Sequence, residues 1–98
     1  MNKVIFICSP ENLSHALKTF GQKVATLLIS EGDRNIFQTL IKEKAHPIEV
    51  VANERSLLEE NLAHSLIGRE RIIFVTSNWG QQQTMRFLAI KNNYTIAQ

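Results

Sequence analysis

Apolar and polar residues along this chain form blocks whose spacing switches repeatedly between the near-continuous run of a covered strand and the three-to-four-residue period of a helix. Residues 3–9 are an almost unbroken apolar run, rich in β-branched and aromatic side chains, the pattern of a strand buried on both faces. Ser9-Pro10-Glu11 then reads as a helix start, with Ser9 at the cap, proline at the first helical position and an acid in the first turn. Leu13, Ala16, Leu17 and Phe20 follow at helical spacing, and Gly21 stops the helix. The pattern repeats: residues 24–29 form strand two, Ser30-Glu31-Gly32 is a turn, and Asp33 caps a second helix with Ile36, Phe37, Leu40 and Ile41 inward. His46-Pro47 breaks that helix and opens strand three over residues 48–52, because proline disfavours helical geometry in the residue before it.

Ser56-Leu57-Leu58-Glu59 is a capping box that starts helix three, with Leu58, Leu62 and Leu66 inward and Gly68 as its stop. Residues 71–76 are strand four, and residues 80–92 make helix four. Met85, Phe87, Leu88, Ala89 and Ile90 are spread broadly around that last helix, which therefore carries more apolar surface than one sheet face takes up. Asn92-Asn93 suits a helix C-cap, after which residues 94–97 add a short fifth strand at the sheet edge.

Strands alternating with helices through short connections imply right-handed crossovers and a mainly parallel sheet. The expectation is one α/β domain over residues 1–98: a three-layer α/β/α, Rossmann-like sheet of four to five strands. Two strand orders compete. Glu49 makes strand three the most polar and favours 3-2-1-4-5, which puts it at an edge, over the flavodoxin-like 2-1-3-4-5, which buries it.

Composition narrows the class rather than the function. With 98 residues, 44% of them hydrophobic and 20% charged, the chain supports one core and is not of the disordered, collagenous or membrane type. Its apolar runs are far shorter than the ~20 residues that span a bilayer, and Ser9-Pro10-Glu11-Asn12 cuts off the first one too early for a signal peptide. The lone Cys8 has no internal disulfide partner, which agrees with a cytoplasmic location. The net charge of +2 comes from basic residues scattered over every segment, so nucleic acid is not indicated as a partner.

In open parallel sheets a ligand sits beyond the carboxyl ends of the strands, where the strand order reverses. Here that places a candidate site at the loops after strands one and four, with Ser9 and Asn12 from the first and Ser77, Asn78, Trp79, Gly80, Gln81 and Thr84 from the second. Arg34 and Arg55 approach from neighbouring loops. Glu11 would repel an anion from helix one, whereas Gly80-Gln81-Gln82-Gln83-Thr84 opens helix four without an acid. Trp79 could stack on a nucleobase and either arginine could reach a phosphate. Against this, a tryptophan at a loop-helix junction serves equally as a packing or dimer anchor, glutamines are ordinary solvated residues, and both arginines have nearby acids in Glu31, Asp33 and Glu54.

Cys8 stands at the end of strand one facing a helix start, where thiolates are stabilised. That placement resembles the active cysteine of phosphotransferase-system IIB domains and low-molecular-weight phosphatases, whose phosphate loop and arginine this chain lacks, and no base is positioned beside it. His15, His46 and His64 lie on three different elements with no metal-ligand spacing, and neither Glu59-Glu60 nor Glu31 with Asp33 requires acid-base chemistry to explain it. The absence of a Gly-x-Gly-x-x-Gly after strand one and of a Walker sequence argues against a dinucleotide or P-loop nucleotide. No metal, cofactor or catalytic residue is expected.

The stretch Phe74-Val75-Thr76-Ser77-Asn78-Trp79-Gly80, with Thr84-Met85 following, resembles the strand-four motif of CRISPR-associated Rossmann-fold sensor domains. The resemblance implies a dimer that binds cyclic oligoadenylates, although the Ser/Thr-Lys/Arg pair of those domains is missing after the glycine. Three functional expectations result. One is a non-catalytic interaction or regulatory module that forms a homodimer, or binds a partner, through helix four and the C-terminal strand. Another is a nucleotide-sensing domain, and a Cys8-dependent enzyme is a third.

Overall fold

The computed structural model describes residues 3–20, 26–30, 47–51 and 66–97, and for Thr26, Ser30 and residues 47–51 the backbone alone. The described elements are β1 (Lys3–Cys8), a 3-10 turn (Pro10–Asn12), α1 (Leu13–Phe20), β2 (Thr26–Ser30), β3 (Pro47–Val51), β4 (Arg71–Val75), α2 (Trp79–Lys91) and β5 (Tyr94–Ala97). The fourth predicted helix is α2. Predicted helix two and all of helix three except Leu66 and Ile67 lie outside the described residues.

The five strands form one sheet in the order β3-β2-β4-β1-β5, with every neighbouring pair parallel. Side chains along a strand point alternately to its two faces, and the core divides accordingly. Ile5 and Ile7 of β1, Ile72 and Phe74 of β4 and Leu28 of β2 pack with Leu66, with Met85, Leu88 and Ala89 of α2, and with Tyr94. Phe6 and Cys8, Ile73 and Val75, and Leu27 and Ile29 pack instead with Leu13, Ala16 and Phe20 of α1. The two helices therefore cover opposite faces of the sheet, and the predicted inward residues of α1 are the ones it buries, Leu17 only partly.

Several local expectations hold. Pro10 opens the first helical segment, though as a 3-10 turn, and Ser9 makes no side-chain cap bond to the backbone; its Oγ accepts from Asn12 Nδ2 at 3.2 Å. Gly68 has φ +75 and ends the segment at Leu66, with the Arg69 N–H donating to the Leu66 carbonyl at 3.2 Å. Asn93, at φ 67, takes the left-handed position after α2. Tyr94 then begins β5, its hydroxyl donating to the carbonyls of Leu66, at 2.9 Å, and Arg69.

The strand order is a correction. Neither 3-2-1-4-5 nor 2-1-3-4-5 is found: β4 is inserted between β2 and β1, and β5 lies beside β1 rather than β4. The polarity of Glu49 located β3 at an edge correctly, but it carried no information about the middle of the sheet. Ile72, Ile73, Phe74 and Val75 of β4 are all fully buried, and the central position gives this strand a neighbour on each edge and a helix-covered cluster on each face. β1 and β5, farther from the centre, carry the more polar Lys3 and Thr95, both exposed.

No helix among the described residues is long and apolar enough to cross a membrane.

Candidate functional site at the ends of β1 and β4

β1 and β4 are neighbours, so the two loops singled out in the sequence do meet: the Thr76 N–H donates to the Cys8 carbonyl at 3.0 Å. The observed order changes what they make. In 3-2-1-4-5 the chains leaving strands one and four would diverge and open a crevice between them. With β4 on the β2 side of β1, the chain leaving β1 crosses β4 on one face to reach β2, while the chain leaving β4 crosses β1 on the other to reach β5. The loops are tied together where a crevice was expected.

Thr76 is the centre of this tie and is completely buried. Its Oγ1 accepts from the Asn78 N–H at 3.1 Å and donates to Gln81 Oε1, and its carbonyl accepts from Gln82 Nε2 at 2.8 Å. Asn78 is the N-cap of α2, its Oδ1 accepting from the Gln81 N–H at 3.0 Å. A helix start leaves four N–H groups without an intrahelical acceptor; here those of Asn78 and Gln81 are satisfied from within the loop. Gly80 belongs to the same arrangement, because a Cβ at this position would lie 3.2 Å from Asn78 Oδ1.

The sequence-predicted site residues thus fall into distinct groups. Asn78 caps α2 through the Gln81 N–H, and Gln81 is only 2% exposed, its Nε2 buried without a hydrogen-bond partner among the described residues. Ser9 and Asn12 bond to each other, Asn12 and Ser77 are exposed, and Thr84 is half-buried. Arg34 and Arg55 lie outside the described residues. Trp79 stands apart: it is 72% exposed, at the first position of a helix with no acid in its first turn.

Sequence reasoning missed Thr76, whose role depends on a loop geometry that no spacing encodes. The cap at Asn78 had a signal in the sequence, since an asparagine three residues before Gln81 is an ordinary N-cap pattern.

Cys8 is buried against α1, and desolvation pushes its thiol up to about 12. The neutral form therefore dominates near pH 7, the reverse of an activated nucleophile. His15 is exposed and stacks edge-on against Phe6 at 5.9 Å. Among the described residues no group of three or more histidine, cysteine or acidic side chains could hold a metal ion.

A different surface is more conspicuous than the loops. The exposed large apolar side chains among the described residues are Ile67, Trp79, Phe87 and Ile90, and the last three belong to α2. Taking roughly 100° per residue, Trp79, Phe87 and Ile90 fall within an arc of about 80° opposite the buried Gln81, Met85, Leu88 and Ala89. The helix is apolar on two sides, as its broad sequence pattern implied. Its charged residues, Arg86 and Lys91, are both cations, and Lys91 Nζ lies 5.9 Å from the centre of the Phe87 ring.

The chain matches no protein-family model, no curated protein and no solved structure.

Proposed function

We propose that this protein is a non-catalytic association module: a small cytoplasmic domain, built as a three-layer α/β/α unit, whose task is to join with a second copy through α2. One observation carries the reading. Trp79, Phe87 and Ile90 are 72%, 57% and 65% exposed on one face of a helix whose opposite face is already packed. Isolated surface hydrophobics need no explanation, but three large ones on one arc form a patch of the kind that partners cover. Sedimentation equilibrium of the full chain from micromolar to millimolar concentration tests it, with Phe87→Ser and Ile90→Ser as variants that leave the core intact. A concentration-dependent dimer weakened by both substitutions is expected; a strict monomer throughout overturns self-association.

A second reading rests on Trp79. An exposed indole at an acid-free helix start suits stacking on a base, with Arg34 and Arg55 as phosphate contacts and cyclic oligoadenylates as the ligands that the sequence resemblance suggests. Trp79 is the sole tryptophan, so titrating its fluorescence with mononucleotides, dinucleotides and cyclic oligoadenylates reports directly on this loop. Saturable quenching, repeated by calorimetry, supports it, and no response to any of them removes it.

A further inference from the structure

The two edges of the sheet are built differently. β3 begins with Pro47, carries Glu49, and has a register shift against β2 between Leu27 and Leu28. Proline, charge and irregularity are the usual means by which an edge strand is kept from pairing with another chain. β5 has none of them. Its sequence is Tyr-Thr-Ile-Ala, its register with β1 is unbroken from Lys3↔Tyr94 to Phe6↔Ala97, and β1 is its only neighbour among the described strands.

Resting on the association reading, we infer that the partner is a second copy docked edge to edge, β5 against β5 in antiparallel sense about a twofold axis perpendicular to the sheet. Such an axis preserves the faces of the sheet, so the two β5 strands join five strands to five and the two α2 helices come side by side. α2 packs on β1 and β5. A helix axis midway between those strands lies about 2.4 Å inside β5, half the strand spacing of ~4.8 Å. Adding the new strand spacing separates the two helices by about 10 Å, within the range at which helices pack.

The side of α2 that faces the twofold axis follows from the handedness of the connection between β4 and β5. In a right-handed crossover from β4 over β1 to β5, with α2 running antiparallel to the strands, the flank bearing Trp79 and Ile90 turns toward the β5 edge and the flank bearing Thr84, Phe87 and Lys91 turns toward β4. Trp79 and Ile90 together leave roughly 300 Å² uncovered per copy, part of the ~800 Å² per partner of a stable interface, and the β5 edge with Thr95 and Ile96 supplies more. Thr95 is exposed on the α1 face, so a change there does not disturb the fold of one copy.

Thr95→Lys puts like charges close together across the joined strands and leaves α2 untouched. Sedimentation equilibrium should show the dimer of this variant half-dissociated at a concentration roughly tenfold or more above that of wild type, with Thr95→Val unaffected. Hydrogen exchange of the β5 amides should slow as wild-type protein is concentrated. A dimer that persists in the Thr95→Lys variant and shows no concentration-dependent protection in β5 overturns this geometry while leaving association through α2 standing. A monomeric wild type overturns both.

Discussion

Asn78 and Gly80 are fitted to each other: the carboxamide oxygen that caps the Gln81 N–H at 3.0 Å lies 3.2 Å from where a Cβ on residue 80 would be. Removing the cap by Asn78→Ala should cost about 1 kcal/mol. Gly80→Ala in the wild-type chain forces that oxygen aside and should bring no gain, despite alanine's better helix propensity. In the Asn78→Ala background the same change should stabilise by several tenths of a kcal/mol. Urea midpoints of the four proteins give the coupling directly, and strictly additive effects would show that the two residues do not interact.

Burial of Cys8 makes stability fall with pH on the alkaline side. The folded thiol sits at about 12, above its ordinary value near 9, so the folded chain holds a proton that the unfolded chain releases. The contribution is complete below pH 9 and is lost as pH rises toward 12, with a slope approaching about 1.4 kcal/mol per pH unit. Tyr94, also raised by burial and by Glu70 and partly lowered by Arg69, adds a loss of the same sign above pH 10. Denaturant titrations between pH 8 and 10 should therefore show a decline that Cys8→Ala flattens, whatever that substitution does to absolute stability. The native thiol should react with an aromatic disulfide reagent only as fast as the chain opens; immediate stoichiometric labelling would contradict its burial.

Tyr94 ties the start of β5 to the turn that precedes β4 through its hydroxyl and the carbonyls of Leu66 and Arg69, while Lys3 lies over its ring with Nζ 5.4 Å from the centre. Tyr94→Phe keeps the ring and its packing but strands those acceptors, and should cost about 1–2 kcal/mol. Chemical denaturation measures the loss, and amide exchange should accelerate in β5 before it does in β4. Unchanged stability would mean that water replaces the hydroxyl without penalty.

The division into elements was legible because Ile5 to Cys8 and Ile72 to Val75 are unbroken apolar runs, while Leu13, Ala16 and Phe20 recur at helical spacing. Gly68 and Asn93 marked their own turns through the backbone freedom that the positions require. Strand order was not legible, since parallel strands buried on both faces carry no label for their neighbours; only Glu49 did, and it spoke for an edge. The candidate loop was read for its donors, yet Asn78 and Thr76 turn those groups on each other, which depends on where the chain after Val75 bends. The exposure of Trp79 was equally hidden, because a single indole beside a helix start has no periodicity to indicate which way it faces.

β1 precedes every other strand of the sheet, and both of its hydrogen-bonding edges are filled by the last two, Val4 opposite Arg71 and Lys3 opposite Tyr94. A chain synthesised from its N-terminus therefore makes this strand early and satisfies it late. During that interval Val4 to Cys8 is a short, uncharged, β-prone segment with open edges, the kind that joins strands of other chains. Folding has to be governed by the arrival of the C-terminal elements, and the nascent protein is most vulnerable to aggregation just before β4 emerges.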